Sequence, residues 1–200
     1  MLFPLRIGND MKLEFIIPTY KRINNLCTLL YSLKSQTSND WTAQVISDNT
    51  PEEIIRPVIN HFSEDSRINF NVLSKRYNDW GHTPRNVGLN HSKEELLVMT
   101  GEDNYYVPTF VKEILKEYKK SSSDIILCDM IHDMSGEYVL VPALPYHSHI
   151  NMGNCVYCKE SIKNQRLEVF RHDADWHFFN TAINKGLKYT IIRKVLYVHN

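Results

Sequence analysis

Two adjacent carboxylates and an amide, Glu102-Asp103-Asn104, follow closely on the apolar run Leu96-Leu97-Val98-Met99. A buried strand ordinarily stops in turn chemistry such as glycine, asparagine or proline. Acidic side chains at the carboxyl end of a strand have another use, which is to hold a divalent cation against a phosphate. Oxygen ligands suit Mg2+ and Mn2+, and Mg2+ commonly takes one or two carboxylates together with substrate phosphates. On its own the segment also fits a solvated acidic turn.

Comparable groups follow three other apolar runs. Pro18-Thr19-Tyr20-Lys21-Arg22 ends the first, Ser47-Asp48-Asn49 the second, and Trp80-Gly81-His82 with Arg85, Asn86 and Gly88 the third. Together they gather an aromatic face, carboxylates, arginines and flexible backbone, which is what a nucleoside diphosphate needs. An aromatic ring stacks on the base, a carboxylate accepts a base N–H, and a cation with its acidic holder neutralises the phosphates. Singly, Tyr20 reads as a half-buried aromatic, Asp48 as a helix-entry cap and Arg85 as a surface charge. Four consecutive strand ends that agree carry the argument.

Bringing these groups to one edge requires strands alternating with helices, and the sequence has that pattern. Leu13–Pro18 reads as a buried strand. Asn24 or Asn25 opens a helix in which Leu26, Leu29, Leu30 and Leu33 share one face. Further strands are expected at Ala43–Ile46, Ile68–Leu73 and Glu95–Thr100. Thr50-Pro51-Glu52-Glu53 has the spacing of a capping box with proline at the first helical position. Ile54, Ile55, Val58, Ile59 and Phe62 continue that helix, which Pro57 should kink or shorten.

Helices follow at Thr83–His91, from Pro108 to the Ser121-Ser122-Ser123 stop, and at Asp173–Lys185, where Trp176, Phe179 and Ile183 share a face. Strands at Asp124–Ile131 and Tyr138–Val141 flank a Met134-Ser135-Gly136 turn, and Tyr189–Val198 closes the chain. The class is α/β, with a mainly parallel sheet in the first half. In such sheets ligands bind beyond the carboxyl ends of the strands.

The 200 residues suit one domain, and 42% hydrophobic with 23% charged residues is ordinary for a globular protein. Lys plus Arg and Asp plus Glu number 23 each, so no global field draws in nucleic acid or an anionic membrane. No stretch approaches the roughly 20 apolar residues of a transmembrane segment. Met1–Asp10 lacks the layout of a secretory signal, so a cytoplasmic protein is expected, with residues 1–12 as a flexible leader. Cys27 falls in an apolar helix pattern and Cys128 in an apolar strand pattern. Cys155 and Cys158 form a C-x-x-C that would need two more ligands, such as His147, His149 or His172, to hold zinc. A strand alternating across a sheet is the better reading.

From Leu13 to His199 the chain resembles the GT-A fold glycosyltransferases of glycosyltransferase family 2. Phe15-Ile16-Ile17-Pro18-Thr19-Tyr20-Lys21-Arg22 is similar to the opening strand and nucleotide loop, and Val45-Ile46-Ser47-Asp48-Asn49-Thr50 to the second strand. Pro84-Arg85-Asn86-Val87-Gly88-Leu89 matches an A-R-N-x-G segment. Val98–Pro108 resembles the strand, D-x-D motif and proline-led helix. The resemblance implies a GT-A, Rossmann-like mixed sheet, mainly parallel and flanked by helices. It implies inverting transfer of a sugar from a nucleotide-diphosphate sugar, with UDP expected, to a hydroxyl acceptor such as a glycan.

It also implies roles for particular residues. Tyr20 would lie against the base, with Pro18 and Arg22 in the nucleotide loop. Asp48 would accept a base hydrogen bond, and Arg85 would help form the donor pocket. Asp103, the last acid of D-x-D, and His199 would hold the divalent metal, Mn2+ or Mg2+. Asp175, in Ala174-Asp175-Trp176, aligns with the late-helix catalytic base. Gly186 fits after that helix. Tyr146, His147, His149, Asn151, Asn154 and Trp176 are candidates for the acceptor side, Trp176 equally for core packing.

There are two departures from the family pattern. Gly101 stands where the first D-x-D acid would be, so either metal dependence weakens or Glu102 compensates within the nucleotide site. Ala174 replaces the glutamate before the base, which leaves Asp173 as a second candidate base or a helix cap. The runner-up function is a catalytically inactive nucleotide-sugar or glycan-binding module. Nucleotidyl transfer to sugar phosphates would call for a glycine-rich loop after the first strand, and Pro18–Arg22 has no glycine. The chain is also compatible with one domain of a longer transferase.

Overall fold

The computed structural model describes residues 11–200; the expected leader falls almost entirely outside the described residues. A nine-stranded sheet forms the centre, in the order β3-β2-β1-β4-β8-β6-β9-β5, with β7 paired to β6. β1 (Leu13–Thr19), β2 (Trp41–Ser47), β3 (Ile68–Val72) and β4 (Leu96–Met99) run parallel. They are joined by α1 (Ile23–Lys34), α2 (Glu52–Phe62) and α3 (His82–His91). This is the repeated βαβ unit that the alternation predicted, and it brings four strand carboxyl ends to one edge.

The second half is mixed. β5 (Tyr105–Tyr106) and α4 (Phe110–Ser121) lead into the hairpin of β6 (Ile125–Met134) and β7 (Glu137–Val141). β8 (Cys155–Cys158) runs antiparallel between β4 and β6. After α5 (Lys159–Ile162) and α6 (Ala174–Asn184), β9 (Tyr189–His199) pairs parallel to β6. Gly186, with φ of 84°, supplies the left-handed turn after α6.

Strand periodicity places a separate core on each face of the sheet. Leu13, Phe15 and Ile17 of β1 pack with Leu26, Leu29, Leu30 and Leu33 of α1 and with α2 and α4. Ile16, between them, points the other way and packs with Ile46, Leu97, Met99 and the α6 residues Phe178 and Phe179. Each fully buried side chain of this kind contributes about 1.5–3 kcal/mol.

Three local expectations are corrected. Thr50 does not cap α2: the helix begins at Glu52 with Pro51 before it and no side-chain cap bond. The Thr50 hydroxyl instead accepts the backbone N–H of Lys21 at 3.2 Å, tying the loops after β1 and β2 together. Pro57 does not shorten α2, which runs through it to Phe62. A proline in the second turn forfeits one backbone bond, and the burial of Ile55, Val58 and Phe62 offsets that loss. Asp173 precedes α6 but makes no side-chain cap bond, because Arg171 holds its carboxylate at 2.8 Å.

Cys155 and Cys158 lie on opposite faces of β8, one in each core. Among the described residues, no group of three or more histidine, cysteine, aspartate or glutamate side chains gathers around a common point. The C-x-x-C is therefore strand packing.

Candidate active site

A cleft of about 170 Å3 opens at the carboxyl ends of the parallel strands, lined by residues that include Trp80, Arg85, Asp103, Asn151, Asp175 and His199. Residues 96 apart in sequence, Asp103 and His199, thus share one cavity with Asp175. A wider depression of about 420 Å3, lined by residues such as Lys34, Asp65 and Arg67, lies at the opposite end of β2 and β3. It collects no residues from the strand carboxyl ends, where an α/β sheet places its ligands.

The Pro84-Arg85-Asn86-Val87-Gly88 segment shows why its residue types matter. A Cβ on Gly88 would fall 2.3 Å from Ile16 Cγ2 and 2.8 Å from Ile46 Cδ1. Only glycine lets α3 lie this close to β1 and β2. Asn86 exchanges two 2.9 Å bonds with the backbone N–H and C=O of Leu167, fastening α3 to the loop that leads to Asp175. Arg85 donates to the Trp80 carbonyl at 2.9 Å and to the Thr100 carbonyl at 3.1 Å. Its Nε is buried without a partner. Burial works against the Arg85 charge, while the carboxylates of Glu102, Asp103 and Asp175 favour it.

Asp103 is held by Arg22 at 2.5 Å. A Cβ on Gly101 would meet Asp103 Oδ1 at 2.7 Å, so the missing first acid of the D-x-D is the space into which the second one folds. Glu102 is outside the cleft lining; it sits near the Tyr20 backbone and Arg22, and burial raises its carboxyl above the usual range. His199 packs against His132, the two rings tilted by 41° with centroids 4.3 Å apart. Burial and the neighbouring His132 bring its pKa down to about 4, so the ring is neutral at pH 7. Asn151 Nδ2 lies 3.3 Å from His199 Nε2, and Nδ1 is buried without a partner.

Asp175 stands in the first turn of α6, with Oδ1 accepting the N–H of Trp176 at 2.7 Å. Burial pushes its carboxyl up, against the pull of His147 and Arg85. Such a carboxylate is a better proton acceptor than an exposed one. Asp173 is outside the cleft lining, and Arg171 holds its carboxyl below the usual range.

On the β1–β3 side, Asp48 is buried and its two oxygens accept the backbone N–H groups of Tyr77 and Asn78 at 2.8 and 2.9 Å. The family resemblance gives Asp48 a base contact; the contact seen is with the loop after β3, which its carboxylate shapes, with one lone pair left on each oxygen. The Tyr20 ring carries the Arg76 guanidinium at 3.7 Å from its centroid. Pro18 packs under Gly81, where a Cβ would approach it to 2.8 Å.

Of the acceptor-side candidates, Asn151 lines the cleft, whereas Asn154 is fully buried and holds the turn before β8. Trp176 packs partly buried against Phe179. Trp80, His82 and His172 also line the cleft. The first two carry a sequence signal in their place after β3, whereas His172 reads from sequence only as a candidate zinc ligand for the C-x-x-C, since the Asn86–Leu167 link that draws its loop in is invisible there.

The glycosyl transferase family 2 model matches residues 14–179, which include the carboxyl ends of β1–β4 and Asp175 but not His199. The chain belongs to glycosyl transferase family 2. An uncharacterized glycosyltransferase of Bacillus subtilis, YwdF, is 27% identical over 107 residues, covering 54% of this chain and 38% of that protein. S. aureus TarS 1-349 in complex with UDP-GlcNAc superimposes with a TM-score of 0.79 at 18% identity, over 94% of this chain and 58% of that one. A mannosyltransferase from Pyrobaculum calidifontis, in complex with GDP-Man and Mn2+, gives 0.74 at 13% identity, over 94% and 56%. These likenesses show the GT-A fold. The family 2 chain described here therefore spans well under two thirds of the length of each of these relatives.

Proposed function

We propose that this family 2 chain is a GT-A glycosyltransferase domain that moves a sugar from a UDP-sugar to a hydroxyl acceptor such as a glycan, with inversion. The observation that carries the reading is the convergence of Arg85, Asp103 and Asp175 on one cleft at the carboxyl ends of β1–β4. The solved relatives with UDP-GlcNAc or with GDP-Man and Mn2+ support a nucleotide-sugar donor.

Tyr20, Pro18 and Asp48 would form the base end of the donor site. Arg22 and Arg85 would meet the diphosphate, with Glu102 near the ribose side. A divalent cation, Mn2+ or Mg2+, fits the groups present. Asp103 offers a carboxylate and His199 a neutral ring with an unpartnered buried nitrogen, and such cations complete their shell with phosphate and water. When bound, the cation supplies charge stabilisation to the departing diphosphate. Arg22 must release Asp103 for this, and an incoming diphosphate gives its guanidinium another anion.

Asp175 removes the proton from the acceptor hydroxyl, whose oxygen attacks the anomeric carbon from the face opposite the diphosphate. One bond forms as the other breaks, so no covalent intermediate arises. The experiment is UDP release from a panel of UDP-hexoses with Mn2+, with and without saccharide acceptors. Turnover that Asp175→Asn abolishes is expected. Binding of UDP with no turnover of any donor would instead favour a module that has lost catalysis.

A further inference from the structure

We propose that the Trp80 indole is a stacking platform for a pyranose ring at the mouth of the cleft, a sugar contact separate from the residues that hold the nucleotide. The inference rests on the nucleotide-sugar reading above. Trp80 is 62% exposed, although a tryptophan is among the side chains with most to gain from burial. Its φ of 56° lies in the left-handed region, where a bulky residue is strained and persists only if its surroundings impose it.

The surroundings do impose it. Asp48 fixes the amides of Tyr77 and Asn78, and Asp79 accepts from the N–H and hydroxyl of Thr83 at 2.9 and 2.5 Å. Arg85 holds the Trp80 carbonyl. Gly81, at φ of 82°, packs on Pro18. All but the Thr83 hydroxyl contact fix backbone, and the indole stays largely exposed. Its ring neighbours in the cleft are His172, edge-on at 5.8 Å and 83°, and His82 at 6.0 Å. Phe170 is more exposed, at 91%, but does not line the cleft.

A strained backbone that holds a large aromatic out of the core and at the rim of a site suits a ligand with one apolar face. A pyranose presents such a face: its axial C–H groups meet the negative face of an aromatic ring, while its hydroxyls remain free for polar partners. Asp175 and His172, in the same cleft, are polar partners within that lining. The pyranose is either the hexose of the donor or a sugar of the acceptor.

The test uses wild type, Trp80→Ala and Trp80→Phe. UDP and UDP-GlcNAc are titrated with Mn2+ present, and UDP release is followed against increasing N-acetylglucosamine oligosaccharide. UDP affinity should change less than twofold in Trp80→Ala. A tenfold or greater loss of UDP-GlcNAc affinity identifies the donor hexose. A tenfold rise in acceptor KM with donor affinity unchanged identifies the acceptor. Trp80→Phe should recover most of either loss. The proposal is overturned if Trp80→Ala leaves all these quantities unchanged, or if UDP and UDP-GlcNAc weaken together. Wild type that binds neither ligand would overturn the nucleotide-sugar reading itself, and this inference with it.

Discussion

At Asp175, burial raises the carboxyl pKa while His147 and Arg85 pull it down. The net upward direction sets a pH dependence. As the proposed base, Asp175 is ionised only above its raised pKa, so kcat/KM should climb with pH through a value above that of an ordinary aspartate and then level. Asp175→Asn should lower kcat about 100-fold to 10,000-fold and leave UDP affinity intact; a mutant with full kcat would end the assignment. His199 gives a stability test of opposite origin. Its folded pKa of about 4 lies below its unfolded value. Between pH 6.5 and 4 the unfolded chain therefore binds more protons, so stability falls as pH falls through that window. His199→Gln should remove up to about 3 kcal/mol of that fall in urea titrations across pH. An unchanged pH profile would show the ring to be ordinarily solvated. Both residues were singled out only by the resemblance to the family, and the structure brings them into one cleft. Trp80 was legible only as a residue after a strand; its left-handed φ belongs to tertiary structure.

Between elements, the contacts of α3 decide whether the site assembles. Gly88→Ala would push a methyl group into Ile16 and Ile46, forcing α3 off the sheet at a cost of about 1–3 kcal/mol. Denaturant unfolding should show that loss, and a neutral result would mean that α3 shifts freely. Asn86→Ala strands the two Leu167 backbone groups at about 1–3 kcal/mol. It should reduce kcat more than it weakens UDP binding, because it loosens the loop before Asp175 rather than the nucleotide end. Equal losses would contradict that division. Helices and parallel strands were readable because apolar periodicity is local. β5, two residues long, and α5, four residues long, were not, since so short a segment carries no period. The Thr50 cap failed because the Lys21 amide competes for its hydroxyl, a contact across 29 residues.

Across the whole molecule, the two-faced core serves one end. The groups proposed for the donor lie at or just beyond the carboxyl ends of strands, apart from Arg85, which the first turn of α3 carries, and no helix among the described residues is long and apolar enough to cross a membrane. We propose that the described residues act as a single GT-A domain holding both donor and acceptor sides. The class and the mainly parallel sheet of the first half followed from alternation, whereas the strand order β3-β2-β1-β4 is set by packing between elements. The Arg22–Asp103 pair was not legible, because it joins residues 81 apart; in the proposed reading it engages the carboxylate that would hold the cation. Calorimetric titration of the purified protein with UDP, with Mn2+ and then with EDTA, tests the central claim most directly. The account predicts saturable one-to-one binding that EDTA or Asp103→Asn weakens at least tenfold. Absence of UDP binding in the presence of Mn2+ would contradict it.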